Sequence, residues 1–85
     1  MKVLIPSALH SYTGGSRAEA RGATLGEVLA DLDRQYPGIR FRIIDEQSRV
    51  RRHIRIFVNG ISAETFSLEM QPDDDVVIVQ ALSGG

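Results

Sequence analysis

Two glycines, Gly84-Gly85, close the sequence a few residues after its most apolar run, Val76-Val77-Ile78-Val79. Their chemistry is that of a carboxylate on a slim leash. Without Cβ atoms, the last two residues adopt almost any φ/ψ and pass through a channel that stops larger side chains. A carboxylate presented in this way is a group for another protein to activate. Fraying termini also collect small residues, so the pair taken alone leaves that reading open as well.

The other residue types narrow the chemistry further. The chain has no cysteine, which removes disulfides, zinc ribbons and thiol nucleophiles together. His10 and His53 are far apart and lack the spacing of metal ligands. Asp73-Asp74-Asp75 lacks the alternating positions of a calcium loop and reads as a solvated turn. Thr13-Gly14-Gly15 lacks the Lys-Ser/Thr that completes a phosphate-binding loop, so it reads as a turn too.

Charge is sorted along the chain although the net value is only −1. Seven arginines (34, 40, 42, 49, 51, 52, 55) face two acids, Asp45 and Glu46, between Arg34 and Arg55, whereas residues 56–85 carry five acids and no Lys or Arg. Such sorting makes solvated faces or steers a partner towards one end of the molecule. A pI of about 6.1 and five aromatic residues argue against nucleic-acid binding.

These groups need a scaffold, and 85 residues, 42% of them hydrophobic and 25% charged, allow one small globular domain. No segment approaches the roughly 18 apolar residues that span a bilayer, and the N-terminus is too short for a signal peptide, so a cytoplasmic location is expected. Lys2 to Ile5, closed by Pro6, predicts a first strand. Ser7 to Gly15 reads as a loop, and Arg17-Ala18-Glu19-Ala20 as a strand returning in a hairpin. Thr24-Leu25-Gly26-Glu27 is a capping box that starts a helix at Leu25, with Glu27 reaching back to the Thr24 N–H. Leu25, Val28, Leu29, Leu32 and Tyr36 stack on one face of that helix, and Pro37-Gly38 ends it.

Residues 39–52 read as a short helical turn and then a loop. Ile54 to Val58 is a strand, and Asn59-Gly60 suits a type I′ turn before a return strand from Ile61 to about Glu64. Val76 to Leu82 is apolar enough to predict a central strand buried on both faces. The whole is an α+β domain with one helix available for one face of the sheet. If the first and last strands pair in parallel at its centre, the chain's end leaves the sheet edge-on.

In order and spacing the chain resembles the ubiquitin-like β-grasp sulfur carriers of the MoaD/ThiS family. The resemblance rests on Thr24-Leu25-Gly26-Glu27-Val28-Leu29, Tyr36-Pro37-Gly38-Ile39, Ile56-Phe57-Val58-Asn59-Gly60, Pro72-Asp73-Asp74-Asp75-Val76-Val77-Ile78 and the terminal Gly84-Gly85. Tyr36 to Ile39 with Arg51 to Asn59 is most similar to the CysO-like branch, carriers that supply sulfur for cysteine assembly. One departure is the tail: family members commonly place a proline before the diglycine, and this chain reads Gln80-Ala81-Leu82-Ser83.

The resemblance implies a four- to five-stranded mixed sheet with one main helix, a domain over residues 1–82 and a flexible tail over 83–85. It implies no catalytic residue and no bound cofactor or metal. A ubiquitin-activating-type adenylyltransferase would use ATP to adenylate Gly85. A sulfurtransferase or sulfide would then leave a thiocarboxylate for a sulfur-accepting biosynthetic enzyme, making cysteine, thiamine, molybdopterin or another thiolated metabolite. Without cysteine, any carried sulfur rides on Gly85, with Gly84 and Ser83 threading the partner's channel. Partner contacts are expected from Phe57, Leu82, Arg51, Arg52 and Arg55; neither nucleic acid nor membrane is an expected partner. A modifier conjugated through Gly85, the small subunit of molybdopterin synthase and an interaction module with an incidental diglycine remain open alternatives.

Overall fold

The computed structural model describes residues 1–81. β1 (Lys2–Leu4) pairs antiparallel with β2 (Arg17–Glu19) and parallel with β5 (Asp75–Gln80). β5 is antiparallel to β3 (Ile54–Val58), which pairs with the short edge strand β4 (Ile61–Ser62). Among the described residues these strands form one sheet in the order β2-β1-β5-β3-β4. A parallel pair needs intervening chain to bring the polypeptide back to the same end. Between β1 and β5, three helices and the β3-β4 hairpin supply it.

The main helix, α2 (Leu25–Gln35), forms where the capping box and apolar stripe predict. Leu25, Val28, Leu29 and Leu32 are buried, and they share one hydrophobic core with Val3, Ala18, Ile56, Val58, Val76 and Ile78 of the sheet. Full burial of each large aliphatic side chain is worth about 1.5–3 kcal/mol, enough to fix the helix across that face. The N–H groups of its first turn are all partnered: Leu25 donates to the Leu68 carbonyl, Gly26 to Phe66, Glu27 to the Thr24 hydroxyl and Val28 to the Thr24 carbonyl. Glu27 does not close the box onto the Thr24 N–H. Its carboxylate instead accepts from the Ala23 N–H and the Thr24 hydroxyl, because the 66–70 segment lies alongside and has taken over part of the cap.

Three further expectations change. The 7–15 segment is not a plain loop: a 3-10 turn, Ser7–Leu9, leads into α1 (His10–Thr13). Leu9 is its buried anchor, His10 Nε2 lies 2.9 Å from the Ile5 carbonyl, and Gly14, at φ 77°, caps the end by donating to the His10 carbonyl. β5 is buried on one face only, because the helices cover just one side of the sheet: Val76 and Ile78 point into the core while Val79 remains 39% exposed. The return strand stops at Ser62, since the last bond on that side runs from the Ala63 N–H to the Ile56 carbonyl.

The segment after α2 does begin with a helical turn, α3 (Ile39–Ile43). Ile39, Ile43 and Ile44 are buried while Phe41 is 55% exposed. An antiparallel bridge between Ile44 and Val50 then folds the intervening loop on itself.

Candidate functional site

β5 carries the chain towards its diglycine end. Its last pairing joins Gln80 to Ile54, and the Ala81 N–H then donates to the His53 carbonyl at 2.7 Å, holding the root of the tail against the start of β3. Leu82, Ser83, Gly84 and Gly85 lie outside the described residues. Four extended residues span at most about 14 Å, which bounds how far from Ala81 the sequence's end can reach.

The face of the sheet away from α2 is an apolar strip flanked by charge. Register aligns Leu4, Val77 and Phe57 across β1, β5 and β3, and the same face pairs Val79 with Arg55. Phe57 is half-buried and belongs to this open face, not to the core beneath α2. Leu4 and Val79 beside it are 43% and 39% exposed. Arg55 lies on the strip but turns its guanidinium back, Nη1 donating to the carbonyls of Arg52 and Ile54.

Arg51 and Arg52 sit at the end of the sheet from which Ala81 leaves. Together with Phe41, Arg42, His53 and Gln80 they line a groove of about 500 Å³. The Arg51 guanidinium carbon lies 4.6 Å from the Phe41 ring centroid, and its Nε donates to the Phe41 carbonyl at 2.6 Å. Sequence reasoning singled out Arg51 but missed Phe41. The available signal was a large aromatic residue out of step with Ile39, Ile43 and Ile44, which a five-residue helix turns away from the core.

The opposite end of the sheet is acidic. Asp75 opens β5 roughly 17 Å from Gln80, preceded by Asp73 and Asp74. Asp74 is structural: it accepts from the Gln71 N–H and from Asn59 Nδ2, and these bonds, the first above all, hold its carboxyl below the ordinary Asp range. Lys2 lies at this end, in register with Glu19 and Asp75 on either side. The Met1 ammonium donates to the Ala20 carbonyl at 2.9 Å, with Glu19 at 3.7 Å.

Among the described residues no cluster of side chains is arranged to hold a metal ion, and no helix is long and apolar enough to cross a membrane. The arrangement instead combines a basic rim where Ala81 leaves the sheet with an apolar sheet face alongside.

A family model described as the ThiS family matches residues 3–85. Sulfur carrier protein CysO of Mycobacterium tuberculosis is 35% identical over 89 residues, spanning 98% of this chain and 96% of that protein. Among solved structures, a chain of the Amycolatopsis orientalis BexX/CysO complex is similar with a TM-score of 0.88 and 31% identity, covering 99% of this chain and 98% of that one. Small archaeal modifier protein 1 from Methanosarcina acetivorans gives a TM-score of 0.79 and 26% identity over 99% of this chain and 94% of its own.

Proposed function

The chain belongs to the ThiS/MoaD family, and on that footing we propose that it works as a sulfur carrier loaded at Gly85. The observation that carries this is full-length similarity to CysO sulfur carriers, with the family match running through the diglycine at residue 85.

A carboxylate resists attack because its charge and resonance leave no good leaving group. In the proposed cycle a Gly85 oxygen attacks the α-phosphorus of ATP in a partner's active site, and pyrophosphate departs to leave an acyl-adenylate. Hydrosulfide then attacks the carbonyl carbon; a C–S bond forms, the C–O bond to AMP breaks, and a thiocarboxylate remains. With a persulfide donor, the terminal persulfide sulfur displaces AMP to give an acyl disulfide, and a second thiol then cleaves its S–S bond, releasing the thiocarboxylate and leaving a disulfide on the donor. This chain supplies the acyl group and its positioning, and the partner enzymes supply the catalysis. Residues 1–82 form the body that docks, and 83–85 are the portion that enters the channel, where Gly84 and Ser83 present little bulk. Phe57, Leu82 and the arginines 51, 52 and 55 are the contacts assigned to the body and the tail root.

The likeness to an archaeal modifier favours a second reading, in which the same acyl-adenylate ends in an amide bond to a target protein. Intact mass after incubation with ATP, a sulfur donor and extract separates the two. Exchange of one oxygen for sulfur in the C-terminal peptide is the expected result, whereas conjugates of higher mass identify a modifier. Removal of Gly85 is expected to abolish the exchange with no loss of folded stability; an unchanged exchange in the truncated chain overturns the assignment.

A further inference from the structure

The groove at the tail root has a composition that specifies its occupant. None of its described lining residues is acidic, while Arg42, Arg51, Arg52 and His53 all contribute to it. The ion pairs found among the described residues, Met1 with Glu19 and Arg34 with Asp31, involve none of these arginines. Arg51 is also pre-set. Its Nε is committed to the Phe41 carbonyl and its guanidinium carbon sits over the ring, so less side-chain freedom is lost when its terminal nitrogens grip a planar carboxylate. Phe41 stays 55% exposed beside it, an apolar platform within a charged rim.

Position supplies the rest. Gln80 lines the groove and Ala81 is tied to His53, so any enzyme that draws the tail into its channel sits over this rim. The carboxylates of Asp73, Asp74 and Asp75 lie at the far end of β5, where they repel the same partner and set its orientation.

We propose that the groove formed by Phe41, Arg42, Arg51, Arg52 and His53 is the docking site for a carboxylate-rich loop at the mouth of the tail-accepting enzyme. An acidic side chain would pair with Arg51 and an adjoining aliphatic one would cover Phe41. This rests on the carrier reading, and it adds the chemistry of the partner and a residue, Phe41, that only the structure brings to the site.

The test is an NMR titration of the full-length, ¹⁵N-labelled chain with a synthetic peptide of alternating Glu and Leu, alongside inorganic phosphate and a Lys-Leu peptide. Shifts confined to Phe41, Arg51, His53 and Gln80 with the acidic peptide alone are expected. Arg51→Gln together with Arg52→Gln should weaken binding about tenfold at low salt, two exposed pairs at roughly 0.7 kcal/mol each. The proposal is overturned by shifts that map elsewhere, by no binding in the wild-type chain, or by phosphate reproducing the pattern as well as the peptide, which would make the groove a small-anion site. Sulfur loading in extract, followed by intact mass, keeps the two ideas apart. Loss of loading in the wild-type chain counts against the carrier reading. Normal wild-type loading with an undiminished rate in the double variant at low salt counts against the groove alone.

Discussion

Asn59 occupies a turn position yet does more than turn the chain. It sits at φ 51° ahead of Gly60 at φ 82°, the pair of positive values that a two-residue hairpin turn needs. Its side chain also donates to Asp74 at 2.9 Å and accepts from the Asp75 N–H at 2.9 Å, pinning the entry of β5 to the β3-β4 turn. Asn59→Gly keeps the backbone conformation and removes both bonds, so we expect a loss of about 1–3 kcal/mol in urea unfolding with the turn intact. Three carboxylates share a related dependence on hydrogen bonds. Asp31 is lowered chiefly by the Arg34 guanidinium and then by the Arg21 N–H, Asp45 chiefly by the Arg49 N–H, and Asp74 chiefly by the Gln71 N–H. Each stays ionised in the folded chain where the unfolded chain, near the ordinary Asp value of about 3.9, has begun to protonate. Their contribution is therefore complete above about pH 4 and is lost as pH falls through the lowered values. Acid unfolding should shift to higher pH in wild type relative to an Asp45→Asn, Asp74→Asn double variant when each is referenced to its own neutral stability.

At the scale of elements, the approach of the 20–24 segment to α2 is set by Gly22. A Cβ there would stand 2.6 Å from the Val28 nitrogen and 2.7 Å from the Glu27 carbonyl carbon, both helix backbone that cannot swing aside. Gly22→Ala should cost about 1–3 kcal/mol, read as a lower urea midpoint at unchanged m-value. That constraint is invisible in the sequence, because what makes Gly22 special is backbone brought alongside by tertiary packing. Legible features were those with a local physical cause: the Leu25 to Leu32 stripe, the Thr24 cap and the Asn59-Gly60 turn. The same locality explains the misses. Whether Val77 and Val79 are covered depends on how many helices reach the second face of the sheet, which the apolar run of β5 does not encode. Likewise the 3-10 turn and α1 together have only Leu9 and Tyr12 to turn inward, too few positions to register as a period. At the candidate site, the arginines were legible as a cluster of charge. The placement of the Arg51 guanidinium over Phe41 depends on α3 folding back beside residue 51, a placement fixed by the 44–50 bridge.

At the scale of the whole molecule, two charge poles lie at opposite ends of the sheet, with the apolar strip of Leu4, Val77 and Phe57 on the face between them. Association through the basic pole should slow as salt is raised past the concentration at which screening shortens to about 10 Å. The kind of cation at each pole has a separate consequence, concerning chemoselectivity. An acyl-adenylate is open to aminolysis by any neutral amine within reach. Guanidinium groups remain protonated at physiological pH and do not act as nucleophiles, and the end that bears the tail is built from them. Lys2, the one lysine of the sequence, lies at the other pole in register between Glu19 and Asp75, and the α-amino group is held there too, bonded to the Ala20 carbonyl with Glu19 at 3.7 Å. In the proposed cycle, an activated terminus therefore meets guanidinium groups, and no amine among the described residues, at the root of the tail. Arg52→Lys places one at the tail root, and in the presence of ATP and activating enzyme but no sulfur donor that variant should accumulate a self-acylated, cyclised form lighter by one water, a species absent from the wild-type mass spectrum.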